Sequence, residues 1–117
     1  MMFISREVAD YHVLVATQDI NLYSNISELQ KMIEEALERG VRKFAVRFTP
    51  NSYLLSRSMA VLVKCIESVA DRKGSFAILN PNEQIMDFLA VVDLEHKIRF
   101  YRDESELAAN GEASGQI

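Results

Sequence analysis

Two patterns of apolar positions alternate along this chain. Short runs rich in β-branched and aromatic residues recur at Tyr11–Thr17, Lys43–Phe48, Ser75–Leu79 and Ile98–Tyr101. Such runs read as strands, and the first is apolar enough to be buried on both faces. Phe3–Val8 is shorter and mixed, which suits an edge strand, and Ala9-Asp10 reads as the turn that follows it. Between the runs, apolar residues return at helical spacing. Ile26, Leu29, Met32, Ile33, Ala36 and Leu37 make one stripe, with Glu28, Lys31, Glu34, Glu35 and Glu38 on the other side. Ser24 or Asn25 is the expected cap, and Gly40 the stop. A second helix is predicted from Ser56 to about Arg72, with Met59, Leu62, Ile66 and Val69 as its stripe, widened by Val61, Val63 and Cys65. Arg72-Lys73-Gly74 should end it, with cations at the negative end of the helix dipole. Asn82 should cap a third helix, Glu83 to about Val91, whose Ile85, Met86, Phe88, Leu89 and Val92 face the core. Asp93–Lys97 reads as a turn and Asp103–Ala109 as a short last helix.

The order β-β-α-β-α-β-α-β-α predicts an α/β fold. Helices that alternate with buried strands form crossover units, so the sheet should be mixed and mainly parallel, with about five strands and about four helices. With 117 residues, 49% of them apolar, one domain over 1–109 is expected, followed by a flexible tail at 110–117. A net charge of −4 argues against nucleic acid and anionic membrane as main partners. No apolar run approaches the roughly 20 residues of a membrane span. Arg6, Glu7 and Asp10 interrupt anything like a signal peptide. Cys65 is the single cysteine and lies among apolar neighbours, so a buried thiol in a reducing cytoplasm is the natural reading. A monomer or weak homodimer is expected.

Catalytic chemistry finds little to build on. His12 and His96 have no ligand spacing, no cysteine pair exists, and no metal site is expected. Glycine occurs only at 40, 74, 111 and 115, and no glycine-rich phosphate loop is present. A set of Ser56, His12 and Asp19 has nothing in its spacing to favour it. No enzyme activity and no cofactor are expected. The stretch from Phe44 to Val63 is more informative. A strand ends near Phe48, a loop with Pro50, Asn51 and Ser52 follows, and Ser56 and Ser58 stand at the mouth of the apolar second helix. Hydroxyls there either cap the helix or accept a phosphate that the dipole would stabilise.

The element order and several local phrases resemble the STAS domain, the family of sulphate-transporter tails and bacterial anti-sigma factor antagonists. The resemblance covers about residues 3 to 109. Gln18-Asp19-Ile20-Asn21-Leu22-Tyr23 stands where the family has an early acidic phrase. Arg47-Phe48-Thr49 stands at its D-L-S strand end, and Leu55-Ser56-Arg57-Ser58-Met59-Ala60-Val61-Leu62 at its D-S-S-G-L-G-V-L helix opening. The segment from Ala77 to Leu89 and the ending from Ile98 are similar to later family phrases. In the antagonist branch, the first serine of that opening is phosphorylated by a partner kinase that is itself the anti-sigma factor. The resemblance carries this role to Ser56, with Ser58 as the second candidate.

Three acidic family positions are Asn21, Arg47 and Leu55 here, and the glycines after the serine are Ser58 and Ala60. Arg47 and Arg57 are therefore two cations available near the serine. The expected function is a non-enzymatic interaction module resembling an anti-sigma factor antagonist. The alternative is an accessory subunit docking permanently on a transporter ATPase or other complex. The expected contact surface comprises Asp19, Asn21, Tyr23, Ser52, Tyr53, Ser56, Arg57 and Ser58. The Glu-rich side of the first helix is expected to be solvated.

Overall fold

The computed structural model describes residues 2–108, so Ala109 and the expected tail at 110–117 lie outside the described residues. The elements run β1 (Phe3–Val8), β2 (Tyr11–Ala16), α1 (Ser27–Glu38), β3 (Lys43–Arg47), α2 (Ser56–Asp71), β4 (Ser75–Leu79), α3 (Glu83–Val91), a single 3-10 turn (Glu95–Lys97) and β5 (Ile98–Tyr101). Residues 104–108 are again helical. The sheet order is β1-β2-β3-β4-β5. β1 and β2 form an antiparallel hairpin, and the other neighbours are parallel. The mixed, mainly parallel α/β sheet expected from the pattern is what forms.

Strand alternation divides the core into two clusters. Leu14, Phe44, Val46, Phe76 and Ile78 pack against Leu29, Ile33, Leu62, Ile66, Ile85 and Leu89 of the three helices. The intervening residues Tyr11, Val13, Ala45, Ala77 and Leu79 form the other side with Leu107. The three long helices thus share one face, as successive right-handed crossovers in one direction require. The small Ala45 and Ala77 lie at the centre of the second face, under the last helical turn.

The three helix ends share one device. Beyond Arg39, Gly40 has φ +95, its N–H reaches Leu37 O, and Val41 N–H reaches Ala36 O. This double hook ties up carbonyls that the last turn would otherwise leave free. Lys73 (φ 60) and Asp93 (φ 58) repeat it after α2 and α3, with Gly74 N–H on Val69 O and Leu94 N–H on Leu89 O. The left-handed residue after α2 is therefore Lys73 and not the glycine that follows.

Several expectations at the helix starts and faces are corrected. Neither Ser24 nor Asn25 is the N-cap of α1. That position is Ile26, without a side-chain bond, while Asn25 Oδ1 accepts the Ser27 N–H from one residue further out. On α3, Ile85 and Leu89 are buried, but Met86 and the C-cap Val92 are exposed, because the apolar residues cover a wider arc than the side that meets the sheet. Asn82 does cap it, accepting the Ile85 N–H at 3.0 Å. Glu28, expected in solvent, is half-buried, and its carboxylate accepts the N–H groups of Met2 and Phe3.

Cys65 is fully buried, and burial pushes its thiol up to about 12. The neutral thiol is not a nucleophile. A thiol-directed maleimide at pH 7 should leave native protein unmodified and label it only after urea unfolding. The sign for stability follows. The folded thiol holds its proton above the 9.0 of the free group. Its contribution is therefore complete below pH 9 and falls by about 1.4 kcal/mol per unit above it. The urea midpoint should drop between pH 9 and pH 10, and less so in Cys65→Ser.

Candidate functional site

The loop between β3 and α2 is held from both sides. It turns tightly at its start, where Ser52 N–H reaches Thr49 O at 3.0 Å and the Thr49 and Ser52 hydroxyls meet at 2.6 Å. The buried Ser52 Oγ then accepts the N–H of Ile20 in the early loop, and Tyr53 N–H returns to Ile20 O. Ile20 itself is fully buried and pins that loop to the core. On the far side, Asn82 Nδ2 donates to Ser52 O at 2.7 Å and Pro50 O at 3.2 Å. Gln84 grips the backbone of Leu54 in both directions, accepting its N–H at 3.0 Å and donating to its carbonyl at 2.8 Å. A backbone tied at Pro50 and at three successive residues, Ser52, Tyr53 and Leu54, holds the start of α2 in one place.

The early loop is built on Asn21. Its side-chain oxygen accepts the Tyr23 N–H, its own N–H reaches Ser24 Oγ, and Ser24 N–H returns to Asn21 O. This turn needs a short polar side chain and lifts Leu22 (65% exposed) and Tyr23 (88% exposed) into solvent. Between this tip and the first turn of α2 runs a cleft of about 450 Å³, lined by Asn21, Leu22, Tyr23, Ser24 and residues 55–58.

Within that frame, the expected site residues separate into two groups. Asn21, Tyr23, Ser56, Arg57 and Ser58 meet at the cleft. Ser56 and Arg57 are exposed there. Tyr53 is exposed just beyond it, and Asp19 is exposed in the early loop away from the lining. Ser52 and Ser58 are each 2% exposed, so neither presents much of its side chain to a protein partner. Ser52 is instead the internal bracket between the two loops. Ser56 is the first residue of α2 but not its cap; the cap position is Leu55, and no side chain closes it. Arg47 is also corrected. It alternates with Phe44 and Val46, so it belongs to the second face of the sheet, where its charge helps hold the Asp103 carboxyl low, after the hydrogen bond from Ser105. Of the two cations expected beside the serine, only Arg57 is there.

Asn82 and Gln84 were outside the expected site. Asn82 was legible as a cap, but its second role, like that of Gln84, rests on a meeting of segments 30 residues apart. A second concavity, about 670 Å³, opens on the other side of the same loop between Tyr53, Leu55, Met59, Val63 and Phe88. Among the described residues, no cluster of histidine, cysteine, aspartate and glutamate side chains could hold a metal ion, and no helix is long and apolar enough to cross a membrane.

The STAS domain profile matches residues 6–107. The chain belongs to the STAS domain family. A Thermotoga neapolitana protein provisionally named an anti-sigma factor antagonist is 26% identical over 105 residues, covering 90% of this chain and 93% of the relative. A Thermotoga maritima protein with the same provisional name is 25% identical over the same span. The crystal structure of a Thermotoga maritima protein so named superposes with a TM-score of 0.77 at 24% identity, covering 93% of both chains. The phosphorylated form of the Bacillus cell fate determinant SpoIIAA superposes with a TM-score of 0.72 at 14% identity, covering 90% of this chain and 96% of its own. In this STAS domain, Asn21 and Leu55 each have a local role. Asn21 is spent on its own turn, and Leu55, 37% exposed, adds to an apolar rim.

Proposed function

We propose that this STAS domain is a non-enzymatic regulatory interaction module of the anti-sigma factor antagonist kind, with Ser56 as its phosphorylation switch. The chain works in the cytoplasm and docks a serine-kinase-like anti-sigma factor. The observation that carries this reading is the arrangement around Ser56. An exposed serine and an exposed arginine sit between two pairs of exposed apolar side chains, Leu22 with Tyr23 and Tyr53 with Leu55. Apolar and aromatic side chains on a pre-fixed backbone suit a protein interface, because little ordering remains to be done on binding. A phosphate adds between one and two negative charges at the centre of that patch, which is enough to change what docks there. The names of the relatives point the same way.

The test is binding to the anti-sigma factor kinase encoded in the same genome. Ser56→Ala should bind as the parent does and take up no phosphate from the kinase and ATP. Ser56→Asp should bind at least about tenfold more weakly. Equal binding by both variants, with no phosphate found on Ser56 by peptide mass mapping, would overturn the switch. Leu55 favours a second reading, a permanently docked subunit of a transporter ATPase or another complex, since it puts an apolar side chain where a charge would serve a switch. That reading expects a stoichiometric partner and an unmodified Ser56.

A further inference from the structure

We propose that the mouth of α2 is a binding pocket for a phosphoryl group, with the Ser58 hydroxyl as its buried donor. Where the phosphoryl comes from Ser56 itself, the proposal rests on the reading of that residue as the switch. The first intrahelical bond of α2 runs from Met59 N–H to Leu55 O, and no side chain caps the helix. The N–H groups of Ser56, Arg57 and Ser58 therefore have no acceptor among the described residues. A helix start alone would be ordinary. Ser58 makes this one different. Its side chain is 2% exposed, and its hydroxyl has no hydrogen-bond partner among the described residues. Every side-chain nitrogen or oxygen there that is sealed from solvent does have a partner. The unpaired Ser58 hydroxyl must then open onto the cleft that Ser58 lines.

The charge of the cleft agrees. In a chain of net charge −4, it is lined by one arginine and no carboxylate. Asn21 and Ser24 are engaged in their own turn and leave the donors of α2 unopposed. Three N–H groups, a buried hydroxyl and a guanidinium supply more donors than the two oxygens of a carboxylate can use. A tetrahedral phosphoryl with three or four oxygens can use them, and the positive helix end favours its charge. The cleft, at about 450 Å³, has room for it. Two sources share this chemistry, the phosphate of a separate molecule and a phosphoryl carried by Ser56, two residues from Ser58.

The test is an amide-resolved NMR titration of the full chain with inorganic phosphate, against chloride at matched ionic strength. Phosphate should shift the amides of residues 56–58 saturably. Ser58→Ala should weaken binding about tenfold, the loss expected for a hydrogen bond to a charged group. Its melting temperature should not fall, because only an unpaired hydroxyl is removed; a structural serine would lower it. Arg57→Gln should weaken binding about threefold and reduce its salt dependence. The proposal is overturned if phosphate shifts these amides no more than chloride does, or if Ser58→Ala binds as tightly as the parent. Repeating the titration on protein phosphorylated at Ser56 separates the sources. Blocked binding assigns the pocket to the Ser56 phosphoryl, and unchanged binding assigns it to a separate molecule. Capture of the anti-sigma factor is read independently, so either result can fail without the other.

Discussion

Gly74→Ala is expected to lower the stability of this domain by about 3 kcal/mol, near the top of the range for a single substitution. The cause is space and not backbone freedom. After α2, the left-handed turn is already made by Lys73, and Gly74 has only to pass under the start of β3. A Cβ at position 74 would lie 2.3 Å from Arg42 O and 2.9 Å from Val69 Cγ1. The first of these is a backbone atom, held at 2.7 Å by the N–H of Ser75 as β3 and β4 begin to pair. It cannot retreat without parting the two strands at Lys43 and Ser75, the first pair of their ladder. Gly40 supplies the control. It needs φ +95, but a Cβ there meets nothing within 4 Å. Gly40→Ala should cost only the roughly 1–2 kcal/mol of a left-handed non-glycine residue. Urea denaturation of both variants checks the difference, and equal losses would show that the Arg42 contact relaxes freely.

The same contrast shows what the sequence reveals of this fold and what it hides. Strands β2, β3 and β4 stand out because parallel strands inside a sheet are largely apolar on both faces, β5 stands out as a short apolar run, and all four match the observed spans to within a residue. Helix existence was equally plain from the spacing. Sidedness was harder. The apolar arc of α3 is wider than the side it buries, so its sequence does not distinguish Met86 and Val92, exposed, from Ile85 and Leu89, buried. Arg47 is a subtler case. Alternation from Phe44 and Val46 already places it with Ala45 on the second face, and the family position, not the strand period, suggested otherwise. Helix capping failed where it depended on one residue of register, at Ile26 and Leu55.

The functional surface was legible in outline for a related reason. Turn formers and hydroxyls around 19–24 and 50–58 mark the two loops, and the fold brings them together. Their internal wiring was not legible. Ser52 looks like any polar loop residue, yet it spans two loops from a buried position 32 residues from Ile20. Tyr23 looks like a residue that could lie over the core edge, yet its turn holds it 88% exposed. Neither fate is set by composition; both depend on which backbone N–H lies within reach once the sheet has formed.

Asn82→Ala should cost about 2–3 kcal/mol and loosen the contact surface as it does so. One side chain is doing two tasks. Its oxygen caps α3 by accepting the Ile85 N–H, and its nitrogen donates to the carbonyls of Pro50 and Ser52. Asn82→Asp divides them. The carboxylate is as good a cap and suits the positive end of α3, but it has nothing to donate and faces two carbonyl oxygens. If the cap were all that mattered, Asn82→Asp would be as stable as the parent. If the clamp matters, it should lose about 1–2 kcal/mol, and the amides of Tyr53 and Leu54 should exchange with solvent faster. Gln84→Ala removes the adjoining grip on Leu54, so its cost should combine non-additively with that of Asn82→Asp. The clamp also reaches function. Tyr53 and Leu55 are presented by the very backbone that Asn82 and Gln84 hold, so freeing it adds ordering entropy to every docking event. In the partner-binding assay, Asn82→Asp should therefore dissociate faster than the parent, although residue 82 lies outside the cleft at Ser56.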